Sequence, residues 1–187
     1  MRNWVSLGLL IVSSLLFVSC RQEAAKPWIP VLEQSGFSYL QDAVSEAQRD
    51  VTEATGQLQS GDAGQAVQMM QKANHTLLKL ELYFLPMTEV QQLIYDADRL
   101  YYLKRSEETA NKLQQAQALL EQISATGGES VAKTLGGIID MIDDLQRTMK
   151  LNPVIVPEKF RLLGEKIDLA VLKGDLILAG AKFTEEN

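Results

Sequence analysis

Three carboxylates stand one helical turn apart in the stretch DMIDD: Asp140, Asp143 and Asp144. Side chains at i, i+3 and i+4 share a helix face, and oxygen ligands so placed could hold a divalent cation. The apolar stripe of that helix is Ile138, Ile142 and Leu145. The acids point largely away from it, which makes a solvated face the better reading. The chain has a single histidine, His75. Acid–base catalysis or haem ligation would need a partner for it, so it reads as a surface or boundary residue. Tyr95, Tyr101 and Tyr102 crowd one helical stretch, with Tyr83 and Phe84 shortly before. A tyrosine joins an apolar ring to a polar tip and is common at binding surfaces. These three are therefore the candidate binding surface, with a helix-packing boundary as the alternative. No phosphate loop, nucleophile elbow or zinc spacing occurs. The expectation is a protein that is not an enzyme, with no catalytic residue, metal or cofactor.

The remaining reactive residue is Cys20, the only cysteine, which ends the apolar run LIVSSLLFVSC. The chain starts Met1-Arg2-Asn3, and Val5 to Val18 carries no charge. A basic start followed by an apolar core of this length is a secretory signal pattern. A membrane-spanning helix needs about 20 apolar residues, and Arg21, Gln22 and Glu23 stop the run short. The segment Phe17-Val18-Ser19-Cys20 resembles the lipobox of bacterial lipoproteins, with Phe17 where leucine is commonest. The resemblance implies cleavage before Cys20, transfer of diacylglycerol to its sulfur, and acylation of the new amino group by a fatty acid such as palmitate. One acyl chain binds a membrane only marginally, at about 0.8 kcal/mol per buried methylene, and two or three make the anchor lasting. In Gram-negative lipoproteins an aspartate after the cysteine signals inner-membrane retention. Arg21 in that place leans toward the outer membrane.

The implied organisation is a lipoprotein signal peptide at residues 1–19, a lipidated tether at 20–30 and one domain at 31–187. The formal net charge of the 187-residue chain is -6, and loss of Arg2 with the signal makes the remainder more acidic. That argues against nucleic acid as a partner, which calls for clustered Lys and Arg. With Cys20 acylated the domain has no thiol for a disulfide, so its core alone must hold it together. Trp28, in the proline-containing tether AAKPWIP, is placed at the membrane interface or against the domain.

From residue 37 onward the spacing is helical. Phe37, Leu40, Val44, Ala47, Val51, Ala54 and Leu58 alternate by three and four, and so do Ala63, Ala66, Met70, Ala73, Leu77, Leu80 and Phe84. This is the period of helices packed side by side. QSGD separates the two runs, with Gly61 as stop and Asp62 as N-cap, so they form an antiparallel hairpin. Leu77 is expected to face the first helix, and its truncation to alanine to cost about 2–5 kcal/mol. Pro86 interrupts the second helix or begins a third, which Thr88 would cap, with Val90, Leu93, Ala97 and Leu100 inward. Ser106 opens a fourth helix with Leu113, Ala116, Leu120 and Ile123 inward. SATGGES, residues 124–130, reads as a loop. A fifth helix carries Val131, Leu135, Ile138, Ile142, Leu145 and Met149, and its Gly136-Gly137 pair suggests close packing or a bend. LNPVIVP, residues 151–157, is expected to be extended. A last helix carries Phe160, Leu163, Ile167 and Ala170, with a bend or restart at Gly174-Asp175 before Phe183. The fold class is therefore all-α: an antiparallel bundle of five to six helices.

Residues 57–80 and 102–123 share a plan of helix end, polar turn and Ala-rich stripe, although the offset is not constant and no tetratricopeptide array follows. Over Ala47 to Ile123 this plan resembles the YfdX family of bacterial periplasmic proteins. The resemblance implies an all-helical, stress-related domain without a clear enzyme activity. The functional expectation is a membrane-anchored periplasmic lipoprotein with a helical interaction or scaffold domain and a protein partner in the cell envelope. The alternative is a carrier of a small apolar ligand held between helices.

Overall fold

The computed structural model describes residues 37–179. The segment expected to be a signal peptide, Cys20, the expected tether with Trp28, and Phe183 lie outside the described residues. The fold is all-α: α1 (Phe37–Gln59), α2 (Ala63–Lys79), a π turn (Leu80–Phe84), α3 (Leu85–Tyr102), α4 (Ser106–Leu151), a 3-10 turn (Pro153–Ile155), α5 (Val156–Leu172) and α6 (Gly174–Leu178). Strands are absent among the described residues. The interior is built from the expected stripes of α3, α4 and α5 together with the π turn. Val90, Leu113, Leu120, Leu135, Ile138, Ile142 and Leu163 are fully buried in it.

α1 and α2 form the expected hairpin. Gly61 takes φ +87, a left-handed conformation that suits glycine. Asp62 caps α2 by accepting from the Gln65 amide at 3.0 Å. The helices meet along a seam of small residues, with Ala47, Ala54, Ala66 and Ala73 all buried. Asp50 is buried in the same seam, 3.2 Å from the Lys72 Nζ, which also pairs with Glu46 at 3.1 Å. Leu80 and Phe84, at the end of the second stripe, are in the core, but the large residues beside the alanines are not. Val44, Val51, Leu58, Met70 and Leu77 are between 40% and 59% exposed, and so is Val67, which lies outside the expected stripe. Leu77 therefore does not anchor the hairpin. The helices pack through alanine, close enough that the larger residues at neighbouring positions are pushed to the flank.

The chain breaks follow the sequence expectation at Pro86 and differ from it at Thr88, at 124–130 and at 151–157, each for a physical reason. Pro86 stands in the first turn of α3, as expected of a proline that begins a third helix. It has no amide hydrogen, and the π turn just before it shifts the ladder, with the Leu85 amide bonding back to the Leu80 carbonyl. Thr88 is inside α3 and donates to the Phe84 carbonyl at 2.8 Å instead of capping. The loop at 124–130 shrinks to Gly128, whose φ 78 and ψ -177 break α4 into two halves. The stretch 151–157 is not extended, because both prolines sit in first helical turns, where a fixed φ and a missing amide hydrogen cost nothing. Gly136 and Gly137 keep helical φ and ψ, since the break inside α4 is at Gly128, and they touch no other helix, since a Cβ at either would meet nothing within 4 Å.

A close approach between distant segments occurs at Gly174 instead. A Cβ there would lie 2.4 Å from the Phe84 ring and 3.0 Å from Tyr83. Tyr83, fully buried, donates its hydroxyl to the Ala170 carbonyl at 3.0 Å. The α5–α6 junction is thus seated on the π turn, and Lys79 ties Asp175 to it at 3.1 Å. Going from the π turn up α3, the partners run down α5: Tyr83 to Ala170, Gln91 to Asp168, and Tyr101 to Phe160. The two helices are antiparallel.

Candidate functional site

The antiparallel pair α3–α5 leaves a cleft of about 590 Å³ along its outer side. From α3 it is lined by Gln91, Tyr95, Asp98 and Tyr102, and from α5 by Glu158, Arg161, Gly164, Glu165 and Asp168. Ile94, Phe160 and Ile167 supply apolar surface. The spacing on α3 is four, three, four, and the charged positions on α5 follow three, four, three. Each wall is therefore one polar stripe beside the buried stripe of the same helix. That pairing of stripes was present in the sequence, but only the packing of α3 on α5 turns it into a site.

Two of the three candidate tyrosines line this cleft. Tyr95 is half-buried in the wall, and Tyr102 is 62% exposed at the rim. Tyr101 points elsewhere: its hydroxyl donates to the Pro153 carbonyl at 3.2 Å and its ring packs against Phe160, with centroids 5.9 Å apart. It is a packing residue that fixes the start of α5 on the end of α3. Gln91, Asp98, Asp168 and Arg161 are site residues that the aromatic cluster alone did not reveal.

The charges of the cleft are unevenly satisfied. Arg161 donates to Glu158 at 2.6 and 2.9 Å and also bonds Glu165. The Arg161 hydrogen bonds hold Glu158 below the usual carboxylate range, and Glu158 and Glu165 in turn raise the guanidinium further. Gln91 is 7% exposed and donates through Nε2 to Asp168 at 2.8 Å. Its Oε1 is buried and has no donor among the described residues. Asp98 Oδ1 likewise has no donor among them. Burial pushes the Asp98 carboxyl up to about 6. The cleft thus holds four carboxylates, one guanidinium and two acceptors lacking hydrogen-bond donors.

The other sequence candidates do not converge. Asp140 and Asp143 are exposed on α4, while Asp144 pairs with Lys159 of α5, which lowers its pKa. His75 lies on the exposed side of α2. Among the described residues no group of three His, Cys, Asp or Glu could hold a metal ion. No helix among them is long and apolar enough to cross a membrane. No family model, curated protein or solved structure matches the chain.

Proposed function

We propose that this chain is a bacterial cell-envelope lipoprotein, anchored through Cys20 at the periplasmic face of the outer membrane, whose helical domain is a non-enzymatic interaction module for a protein partner. The anchor rests on the lipobox-like segment Phe17-Val18-Ser19-Cys20. The interaction role rests on one observation, the outer flank of the α1–α2 hairpin. Val44, Val51 and Leu58 recur every seven residues on α1, and Val67, Met70 and Leu77 run beside them on α2. In an antiparallel pair both rows fall on the same side of the alanine seam. A continuous exposed apolar strip of this kind marks an interaction surface. The hairpin joins the bundle through the π turn and leaves this strip uncovered by the bundle.

Two measurements test the reading. Cys20→Ala should leave the precursor unprocessed and release the protein from the membrane fraction. A wild-type chain that takes up no labelled lipid and fractionates as soluble would overturn the anchor. A photo-crosslinking residue at Val51 or Met70 in growing cells should give one discrete adduct, identified by mass spectrometry. The same residue at Lys166 of α5 should not. Equal adduct patterns from both places, or none from the hairpin, would overturn the interaction role.

A further inference from the structure

We propose that the α3–α5 cleft binds an organic cation, a primary amine or guanidinium carried on an apolar or aromatic body. This stands apart from the hairpin reading and uses a different face. The argument starts from Gln91. Its amide nitrogen is directed at Asp168, which as a carboxylate can only accept, so its Oε1 must take a donor from elsewhere. More than nine-tenths of the side chain is buried, and a buried acceptor without a donor is costly and uncommon. Oδ1 of the Asp98 carboxylate, two stripe positions along, has the same deficit. Both atoms belong to cleft residues, and the one cleft guanidinium is already engaged by Glu158 and Glu165. The missing component is therefore a donor, and in this field of carboxylates a positively charged one.

The rest of the cleft selects the body of the ligand. Its volume is within the roughly 300–1,000 Å³ usual for small-molecule sites. Tyr95 and Tyr102 line the cleft, and tyrosine rings attract ammonium and guanidinium groups within about 6 Å of their centroids. Gly164 contributes no side chain, and a Cβ there would meet nothing within 4 Å, so the α5 wall is open at that point. A bare metal ion does not suit these walls, because no three acidic groups converge among the described residues. The cation can be a free amine or the side chain of a bound protein. The chemistry is the same, and the ligands below separate the two sources.

The test uses the full chain, lipid-anchored and solubilised in detergent, titrated with phenethylamine and agmatine by calorimetry and by amide chemical shifts. Saturable binding with shifts at Gln91, Asp98 and Gly164 is expected, with no binding of the neutral isostere phenethyl alcohol. Asp98→Asn should weaken amine binding at least tenfold. Gly164→Leu should block it while leaving the helical dichroism intact, since the added side chain enters open space. Acetyl-arginine amide binding tighter than agmatine assigns the site to a protein side chain, and the reverse assigns it to a free amine. Either order supports the proposal. Equal binding of phenethyl alcohol, no binding of any amine, or amine binding unchanged in both variants would overturn it.

Discussion

Tyr83 shows how much one buried polar atom does in this fold. Its ring fills the space under the α5–α6 junction, and its hydroxyl satisfies the Ala170 carbonyl. Burial pushes the phenol up to about 12. The folded chain therefore keeps a proton that the unfolded chain gives up near pH 10. The contribution is fully present below pH 10 and is lost as pH rises toward 12. Tyr83→Phe keeps the ring and strands the carbonyl, so it should cost about 1–2 kcal/mol at pH 7. Urea midpoints at pH 9 and pH 11.5 check both statements. The wild type should lose more stability than the variant over that interval, and equal losses would refute the assignment.

At the scale of the helix, glycine and alanine decide more than the large apolar residues do. Gly128 has a φ and ψ that side-chain-bearing residues rarely adopt, so Gly128→Ala should cost about 1–3 kcal/mol. Gly137→Ala is the same change in regular, open helix and should stabilise by up to about 1 kcal/mol. Thermal or urea unfolding of the two should move in opposite directions. The hairpin makes the same point. Ala73 is 2% exposed against α1, and Ala73→Leu should cost about 1–3 kcal/mol by forcing the helices apart. Leu77 is 47% exposed, and Leu77→Ala should cost no more than about 1 kcal/mol. Chemical denaturation of this pair distinguishes an alanine seam from a leucine stripe. A larger loss at Leu77 would mean that the hairpin is packed in another register.

Across the whole molecule, the bundle and the hairpin differ in how much apolar surface holds them. The second half of α4 buries Val131, Leu135, Ile138, Ile142 and Leu145 fully. α1 and α2 bury alanines and the carboxylate of Asp50, whose partner Lys72 is half exposed. Segments with few large buried contacts open at lower free energy than the core. Hydrogen exchange followed by mass spectrometry should show residues 44–70 exchanging well before residues 131–148, in the absence of a partner. Equal protection would mean that the hairpin is part of the core and that its apolar strip is covered.

The helical class, the stripes of α3, α4 and α5, the Gly61-Asp62 turn and the restart at Gly174 were legible from spacing alone. An apolar stripe of period three to four has one way to leave water, and Gly and Asp have strong local preferences at helix ends. The fate of Val44, Met70 and Leu77 was not legible. The same spacing describes a buried stripe and the exposed flank of an alanine seam, and only the distance between the two helices separates them. The break at 124–130 was readable as a break, but its reduction to Gly128 depends on how the two halves of α4 pack. Tyr95 and Tyr102 were visible as candidates, yet Tyr101 belonged with them until the structure turned it toward Pro153. The cleft itself comes from side chains 77 positions apart, Gln91 and Asp168. No local preference encodes that meeting. It follows from the antiparallel seating of α5 on α3, which the tertiary structure alone decides.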